Sequence, residues 1–168
     1  MFLFKHNYYK QDYLIVKMKK EANNLIFLAS DHAGFVLKEK IKQHLKKKNL
    51  SFQDIGPFFL NKDDDYPDYI IPAAEKVAKT KNSLGIILGG SGQGEAIAAN
   101  KVKDIRAAVI YQYNSKIIQL SKQHNNANIL SLGARFLTKE QAIEAVKIWL
   151  ETPFEGGRHQ RRIEKIDQ

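Results

Sequence analysis

Residues 84–100, LGIILGGSGQGEAIAAN, decide the fold class: a short apolar run leads into a glycine-rich turn and then into a helix-forming segment. The apolar run 84–88 has the length and composition of a buried strand. Four of the six residues 89–94 are glycine, and residues 94–102 have a helical composition. A strand, a tight turn and a helix in this order form the repeating unit of parallel α/β proteins.

The same unit recurs on both sides of this stretch, without an internal sequence repeat. We predict strands over residues 25–29, 51–55, 84–88, 107–111 and 129–132, and helices over 35–48, 68–80, 94–102, 114–123 and 138–150, the last capped by Thr138. The expected fold is a three-layer, Rossmann-like parallel sheet of about five strands with helices on both faces. We expect one domain over residues 25–168 that ends in a basic segment.

Composition and charge narrow the functional classes. The 168 residues contain no cysteine, which removes disulfides and thiolate chemistry and fits a cytoplasmic protein. The net charge of +9 suggests nucleic acid as a partner, but a lysine run such as 46–48 is typical of a solvated helix face. We therefore expect no nucleic-acid partner, and the chain has no apolar run of membrane-spanning length. Residues 1–24 are expected to be a flexible extension, or translation begins at Met18.

Residues that follow the strands are the candidates for a site, because ligands of open parallel sheets bind beyond the carboxyl ends of the strands. Asp31 and His32 follow the first strand and fit either a helix cap or contacts to a sugar hydroxyl or phosphate. The glycine-rich turn suits an anion or a developing oxyanion, because its backbone N–H groups converge. Nucleotide binding is disfavoured, since the turn lacks both the P-loop Gly-Lys-Ser/Thr and the Rossmann fingerprint.

Charged side chains near these turns are further candidates for the site. Glu95, in the first turn of a helix, fits either a complement to the helix dipole or a carboxylate base. His124 ends a predicted helix and fits a capping role. Arg135 follows the fifth strand and indicates an anion as partner. Arg158 and Arg162 lie four residues apart, which suits a phosphate if the segment is helical and a basic surface turn if it is not.

Five segments together resemble the ribose-5-phosphate isomerase B family, which also contains the galactose-6-phosphate isomerase subunits. The segments are SDHAGFVLKEKI (30–41), DYPDY (65–69), GGSGQGEAIAANKV (89–102), QHNNANILSLGAR (123–135) and TPFEGGRHQRRIEKI (152–166). The resemblance covers about residues 25–166. It implies an isomerase without metal or cofactor, working as a homodimer or tetramer whose active sites are completed across the subunit interface.

The resemblance also assigns roles to individual residues. It implies that Glu95 is the base, that His124 promotes opening of the sugar ring, and that Ser91 helps to move a proton. Many family members carry a cysteine base where this chain has Gly89, and a second subgroup carries a glutamate at the position of Glu95 instead. Substrate-binding roles are implied for Asp31, His32, Gly90, Ser91, Gly92, Gln93, Gly94, Asn125, Arg135, Arg158 and Arg162, with the backbone of 90–94 holding the enediolate oxygen.

The implied reaction is the reversible conversion of D-ribose 5-phosphate to D-ribulose 5-phosphate through an enediolate, a step of the pentose phosphate pathway. The closest alternative is the same chemistry on a six-carbon sugar phosphate, such as allose or galactose 6-phosphate. A third alternative, a noncatalytic module that binds sugar phosphate or nucleic acid, is suggested only by the basic charge. At the level of sequence these alternatives stay open, as does the choice between dimer and tetramer.

Overall fold

The structure, a computed structural model, describes residues 24–168. Within that range, the strands are β1 (Ile26–Ser30), β2 (Phe52–Gly56), β3 (Leu84–Gly89), β4 (Ala107–Ile110) and β5 (Ile129–Gly133). The helices are α1 (Phe35–Lys47), α2 (Pro67–Lys79), α3 (Gln93–Ala99), α4 (Ser115–Gln123), α5 (Lys139–Glu151) and α6 (Arg158–Ile166). All but the last residue of the expected 1–24 extension lies outside the described residues.

The five strands form one parallel sheet in the order β2-β1-β3-β5-β4. Ser30 at the end of β1 pairs with Leu88, and Gly89 at the end of β3 pairs with Gly133. The chain leaves β1 towards one edge of the sheet and leaves β3 towards the other, so the direction of winding reverses between these two strands. Such a reversal is where open parallel sheets bind their ligands.

Alternate strand residues enter two separate hydrophobic cores, one on each face of the sheet. Ile86 and Leu88 belong to the core that α1, α4 and α5 cover, with the fully buried Trp149 at its centre. Ile87 points the other way, into the core beneath α2 and α3. The predicted three-layer α/β architecture is therefore confirmed. No helix within residues 24–168 is both long and apolar enough to cross a membrane.

A local signal in the sequence accounts for α5, whereas tertiary contacts hold α6. Thr138 caps α5 in a reciprocal box, since its Oγ1 accepts from the N–H of Gln141 and its own N–H donates to the Gln141 side chain. The basic segment at the end forms α6, which is held by the buried Ile163 and by a 2.8 Å ion pair between Arg106 and Asp167. Its helical form places the two arginines that lie four residues apart on one face.

One lysine of α1 is not solvated. The run 46–48 is exposed as predicted, but Lys38 is fully buried and donates to Asp54 Oδ1 and to the carbonyl of Pro57, each at 2.7 Å. Burial lowers the pKa of Lys38, an effect that Asp54 only partly offsets. Burial would by itself raise the pKa of Asp54, but hydrogen bonds from Lys38 and Lys42 outweigh it and hold that pKa below its usual value.

Removing the carboxylate of this network should destabilise the fold strongly. We expect Asp54→Ala to lower the free energy of unfolding by about 3 kcal/mol, because it leaves a buried ammonium without its counter-ion. Urea unfolding measures the loss. The control Glu75→Ala removes the exposed pair with Lys79 and should change stability by less than about 0.5 kcal/mol. Equal losses in the two variants, or no recovery when Lys38→Met is added to Asp54→Ala, would contradict this account.

Candidate active site

The glycine-rich turn between β3 and α3 is pressed against the end of β5. Gly92 caps α3 with φ of +76°, and a Cβ there would lie 2.9 Å from the carbonyl carbon of Leu132. Ser131 on β5 donates from its hydroxyl to the carbonyl of Gly92 at 2.6 Å. Within the turn, the Ser91 hydroxyl oxygen accepts from the N–H of Gln93 at 3.2 Å. Position 92 therefore requires glycine, both for its left-handed backbone and for the close approach of β5.

Glu95 is buried against the end of β3, with only 4% of its surface exposed. Its carboxylate lies beside the Cα of Gly89, so that a Cβ on Gly89 would overlap the carboxylate atoms. Burial raises the pKa of Glu95, and the nearby carboxylate of Asp31 raises it further. A hydrogen bond from its own backbone N–H and the positive charge of Arg135 partly offset this rise in pKa. A glutamate that served only the helix dipole would have no need to bear the cost of leaving solvent, so burial favours the second interpretation, a carboxylate base.

Asp31 and His32 lie at the winding reversal, directly after β1. The side chain of Asp31 is buried and accepts from the N–H of Gly34 at 2.9 Å, so it stabilises the turn into α1 as a cap does. Its charge also acts on Glu95. The two interpretations of Asp31 are therefore compatible: it holds the turn together and contributes negative charge to the site.

His32 has a partner that the sequence did not single out. Asp64, in the loop between β2 and α2, accepts from the backbone N–H of His32 at 3.1 Å, and its Oδ1 lies 2.6 Å from His32 Nδ1. In the sequence, Asp64 belongs to the acidic run Asp63-Asp64-Asp65. The run itself was the available signal, but which of its carboxylates faces the site depends on how the loop folds.

Arg135 and Tyr66 close this side of the site. The guanidinium of Arg135 lies over Gly90, where a Cβ would be 3.2 Å from Cζ, and its backbone N–H donates to the carbonyl of Gly90 at 3.0 Å. The ring of Tyr66 lies against Gly94, where a Cβ would be 3.1 Å from Cζ. Tyr66 was quoted in a motif but was not predicted as a site residue. We call Asp31, His32, Glu95 and Arg135 the strand-end cluster.

A second cluster forms where α6 meets the end of α4. His124 stacks on His159 with 4.1 Å between ring centroids and 9° between ring planes. Each ring places Nε2 3.8 Å from Oε2 of Glu155, and Arg158 Nε donates to His159 Nε2 at 3.5 Å. His159 is only 5% exposed, and its burial, followed by the charges of His124 and Arg158, lowers its pKa. We call His124, Glu155, Arg158, His159 and Arg162 the C-terminal cluster.

The two clusters are not joined. Within the described part of the chain, no hydrogen bond, ion pair or ring contact connects them. Asn125 is exposed directly after His124, and Arg162 is exposed one turn after Arg158 on α6. Within residues 24–168, the predicted site residues therefore fall into two sets that make no direct contact with each other. His159, which the sequence did not predict as a site residue, belongs to the second.

The C-terminal cluster also contains the one group within residues 24–168 whose ligand atoms are close enough for a metal ion. The atoms of His124, Glu155 and His159 lie within 4.8 Å of one another. The lone pair of an imidazole nitrogen lies in the ring plane, so two parallel stacked rings do not direct their lone pairs to one point. One ring would have to turn before all three groups met the tetrahedral geometry that Zn²⁺ prefers.

Comparison with known proteins agrees with the fold. The family model described as Ribose/Galactose Isomerase matches residues 26–166. The chain belongs to this isomerase family, and the resemblance seen in the sequence is confirmed.

Individual relatives are similar over most of their length. A probable ribose-5-phosphate isomerase B from Mycoplasma genitalium is 47% identical over 142 residues, 84% of this chain and 92% of the relative. The crystal structure of ribose-5-phosphate isomerase B from the same organism, with bound ribulose-5-phosphate, has a TM-score of 0.81 at 44% identity, covering 86% of this chain and 95% of that one. The crystal structure of a ribose 5-phosphate isomerase from Thermotoga maritima also has a TM-score of 0.81, at 43% identity. The match covers 86% of this chain and 98% of that one.

Adding a single methyl group at Gly89 should disable the site. We expect Gly89→Ala to lower kcat/KM by about 100-fold, because the Cβ would displace the Glu95 carboxylate and small misplacements of a reacting group are costly. Steady-state kinetics measure the loss, and circular dichroism checks the fold. In a Glu95→Ala background the same change should lower turnover no further. Near-normal activity of Gly89→Ala would contradict the placement of Glu95.

Proposed function

We propose that this chain interconverts D-ribose 5-phosphate and D-ribulose 5-phosphate through an enediolate. The observation that carries the proposal is the buried carboxylate of Glu95, which lies against Gly89 at the start of the glycine-rich turn. Family membership supports the isomerase class, and the relatives named ribose-5-phosphate isomerase B support the substrate. A cytoplasmic location is part of the proposal and is supported by the cysteine-free sequence.

Glu95 is the base in this proposal. It removes the C2 proton of the open-chain aldose, the electrons of that bond form the C1=C2 double bond, and the aldehyde oxygen becomes an enediolate oxygen. Transfer of the hydroxyl proton from O2 to O1, assisted by Ser91, and return of the first proton to C1 complete the ketose. The raised pKa of Glu95 brings the carboxylate closer to the strength that a base needs near neutral pH.

The glycine-rich turn stabilises the enediolate oxygen. Its left-handed Gly92 and the hydrogen bond from Ser131 hold the backbone in place before substrate arrives. Donors that are already oriented lose little free energy when charge develops, and loss of one such donor in other enzymes costs about 10²- to 10³-fold in rate. We assign this role to the backbone of residues 90–94, with Asp31, His32 and Arg135 as further substrate ligands.

The C-terminal cluster supplies the remaining groups from a second copy of the chain. His124 promotes opening of the sugar ring, Asn125 binds the substrate, and the exposed guanidiniums of Arg158 and Arg162 bind the phosphate. This assignment is supported by the separation of the two clusters within one chain. We therefore propose a homodimer, or a tetramer built from it, in which each site combines the strand-end cluster of one protomer with the C-terminal cluster of its partner.

Replacing the base should abolish turnover while leaving binding intact. We expect Glu95→Gln to lower kcat by at least about 10³-fold with little change in the affinity for ribose 5-phosphate, because the amide keeps the shape but not the basicity. Coupled turnover assays and calorimetric binding, both in EDTA, separate the two effects. Glu140→Gln, an exposed first-turn glutamate of α5, is the matched control and should be fully active.

The pH profile gives a check that depends on the same group. Since the base acts as the carboxylate, kcat/KM should fall as the pH drops through the raised pKa of Glu95, with a midpoint above 4.5, its ordinary value.

Parallel assays on allose and galactose 6-phosphates compare the six-carbon alternative. Near-normal turnover of Glu95→Gln would refute the assignment of Glu95 as the base. Activity that EDTA abolishes would refute a metal-free reaction. Faster turnover of a six-carbon sugar phosphate would overturn ribose 5-phosphate as the substrate.

Shared sites predict complementation between two inactive variants. Glu95→Gln disables the strand-end cluster, and the double variant Arg158→Ala/Arg162→Ala disables the C-terminal cluster. A purified hybrid with one copy of each should regain about half the wild-type activity per dimer, because one of its two sites carries neither defect. Differently tagged, co-expressed chains yield the hybrid. A hybrid as inactive as its parents would show that each site is built within one chain.

A further inference from the structure

Within residues 24–168, the carboxylate of Asp64 is buried and makes its hydrogen bonds to His32 alone. Its side chain is 2% exposed, and Oδ1 accepts from both the backbone N–H and the Nδ1 side of the His32 ring. The other oxygen, Oδ2, is buried and has no hydrogen-bond partner among residues 24–168. Leaving a buried acceptor unpaired costs free energy, so nothing in its own surroundings other than His32 accounts for a carboxylate at this position.

This contact determines which nitrogen of His32 carries a proton. A carboxylate only accepts hydrogen bonds, so the 2.6 Å contact requires the proton on Nδ1. The free imidazole in water has no such constraint. With Nδ1 occupied, Nε2 is the nitrogen left for a ligand, and it has no hydrogen-bond partner within the described residues. The side chain of His32 is 32% exposed, so part of the ring is open to solvent.

The loop that carries Asp64 is shaped by its own hydrogen bonds and contacts two turns of the site. The N–H of Asp63 donates to the Asn61 side chain at 3.1 Å, and that of Asp68 donates to the carbonyl of Asp65 at 3.1 Å, which shapes the loop on either side of Asp64. Two residues further on, Tyr66 packs against the glycine-rich turn. The loop between β2 and α2 thus contacts both the turn after β1 and the turn after β3.

We propose that Asp64 is a positioning residue for His32: its carboxylate holds the imidazole in one orientation and one tautomer, so that Nε2 is presented to the substrate. The inference rests on the proposed role of His32 as a substrate ligand and adds a residue to that site. A carboxylate behind an imidazole orients the ring and fixes its tautomer in many sites of this kind. Asp64 does not touch the substrate itself.

The first experiment observes the tautomer in the free enzyme. In the ¹⁵N NMR spectrum of the wild type, His32 should show a protonated Nδ1. Asp64→Ala should lose that signature, while Asp64→Asn should largely keep it, because the amide oxygen still accepts from Nδ1–H. The control Asp63→Asn removes the same charge from the neighbouring exposed position and should leave His32 unchanged. An unaltered His32 spectrum in Asp64→Ala would overturn the proposal without involving substrate.

The second experiment measures what the orientation contributes to binding. We expect Asp64→Ala to raise KM for ribose 5-phosphate about tenfold with kcat changed by less than about twofold, as for loss of one hydrogen bond to a charged group. His32→Asn should raise KM similarly, and the double variant should be no worse than His32→Asn. Loop damage unrelated to His32 would instead add to the His32 defect and would overturn the proposal.

The kinetics of the single variants separate the role of His32 from that of Asp64. If His32→Asn leaves KM unchanged, both the role of His32 and the proposal for Asp64 are wrong, while the isomerase function still stands or falls with Glu95. If His32→Asn raises KM and Asp64→Ala does not, only the positioning role is wrong.

Discussion

The close packing of the turns that follow the parallel strands is the constraint on which the rest of the site depends. A Cβ on Gly34 would lie 2.6 Å from the backbone of Leu88, and one on Gly133 would lie 2.7 Å from the carbonyl oxygen of Ser91. Backbone therefore meets backbone at the ends of β1, β3 and β5, with no side chain between them. Because the turns support one another, polar groups from three separate segments are held close together.

Within this packing, Glu95 and Gly89 form a single unit. The carboxylate occupies the space that a side chain at position 89 would fill. The resemblance implies that other family members carry a cysteine base at that position, so the two designs exclude each other sterically. A glutamate in the first turn of α3 reaches the same point in space as a side chain at the end of β3, so in the proposed mechanism the carboxylate takes the place of the thiol. Its burial then adjusts the pKa in the direction that a base requires.

The lysine and arginine side chains elsewhere in the chain have different environments. Lys38 is a buried structural cation that ties α1 to β2, while the exposed 46–48 run is solvated. Arg158 and Arg162 lie exposed on α6 in the C-terminal cluster. Such an arrangement suits a dianionic ligand better than it suits the isolated chain.

Periodicity, turn residues and the motif set determined the parallel α/β fold, the order of its elements and most members of the proposed site, including Glu95, Arg135 and His124. These features are local: a strand, a glycine turn and a helix cap each depend on neighbours in the sequence. The tertiary structure alone decided that Lys38 is buried, that Asp64 faces His32, and that the predicted residues fall into two clusters. Those facts depend on how loops distant in sequence approach one another, and no periodicity within a single segment encodes such distances.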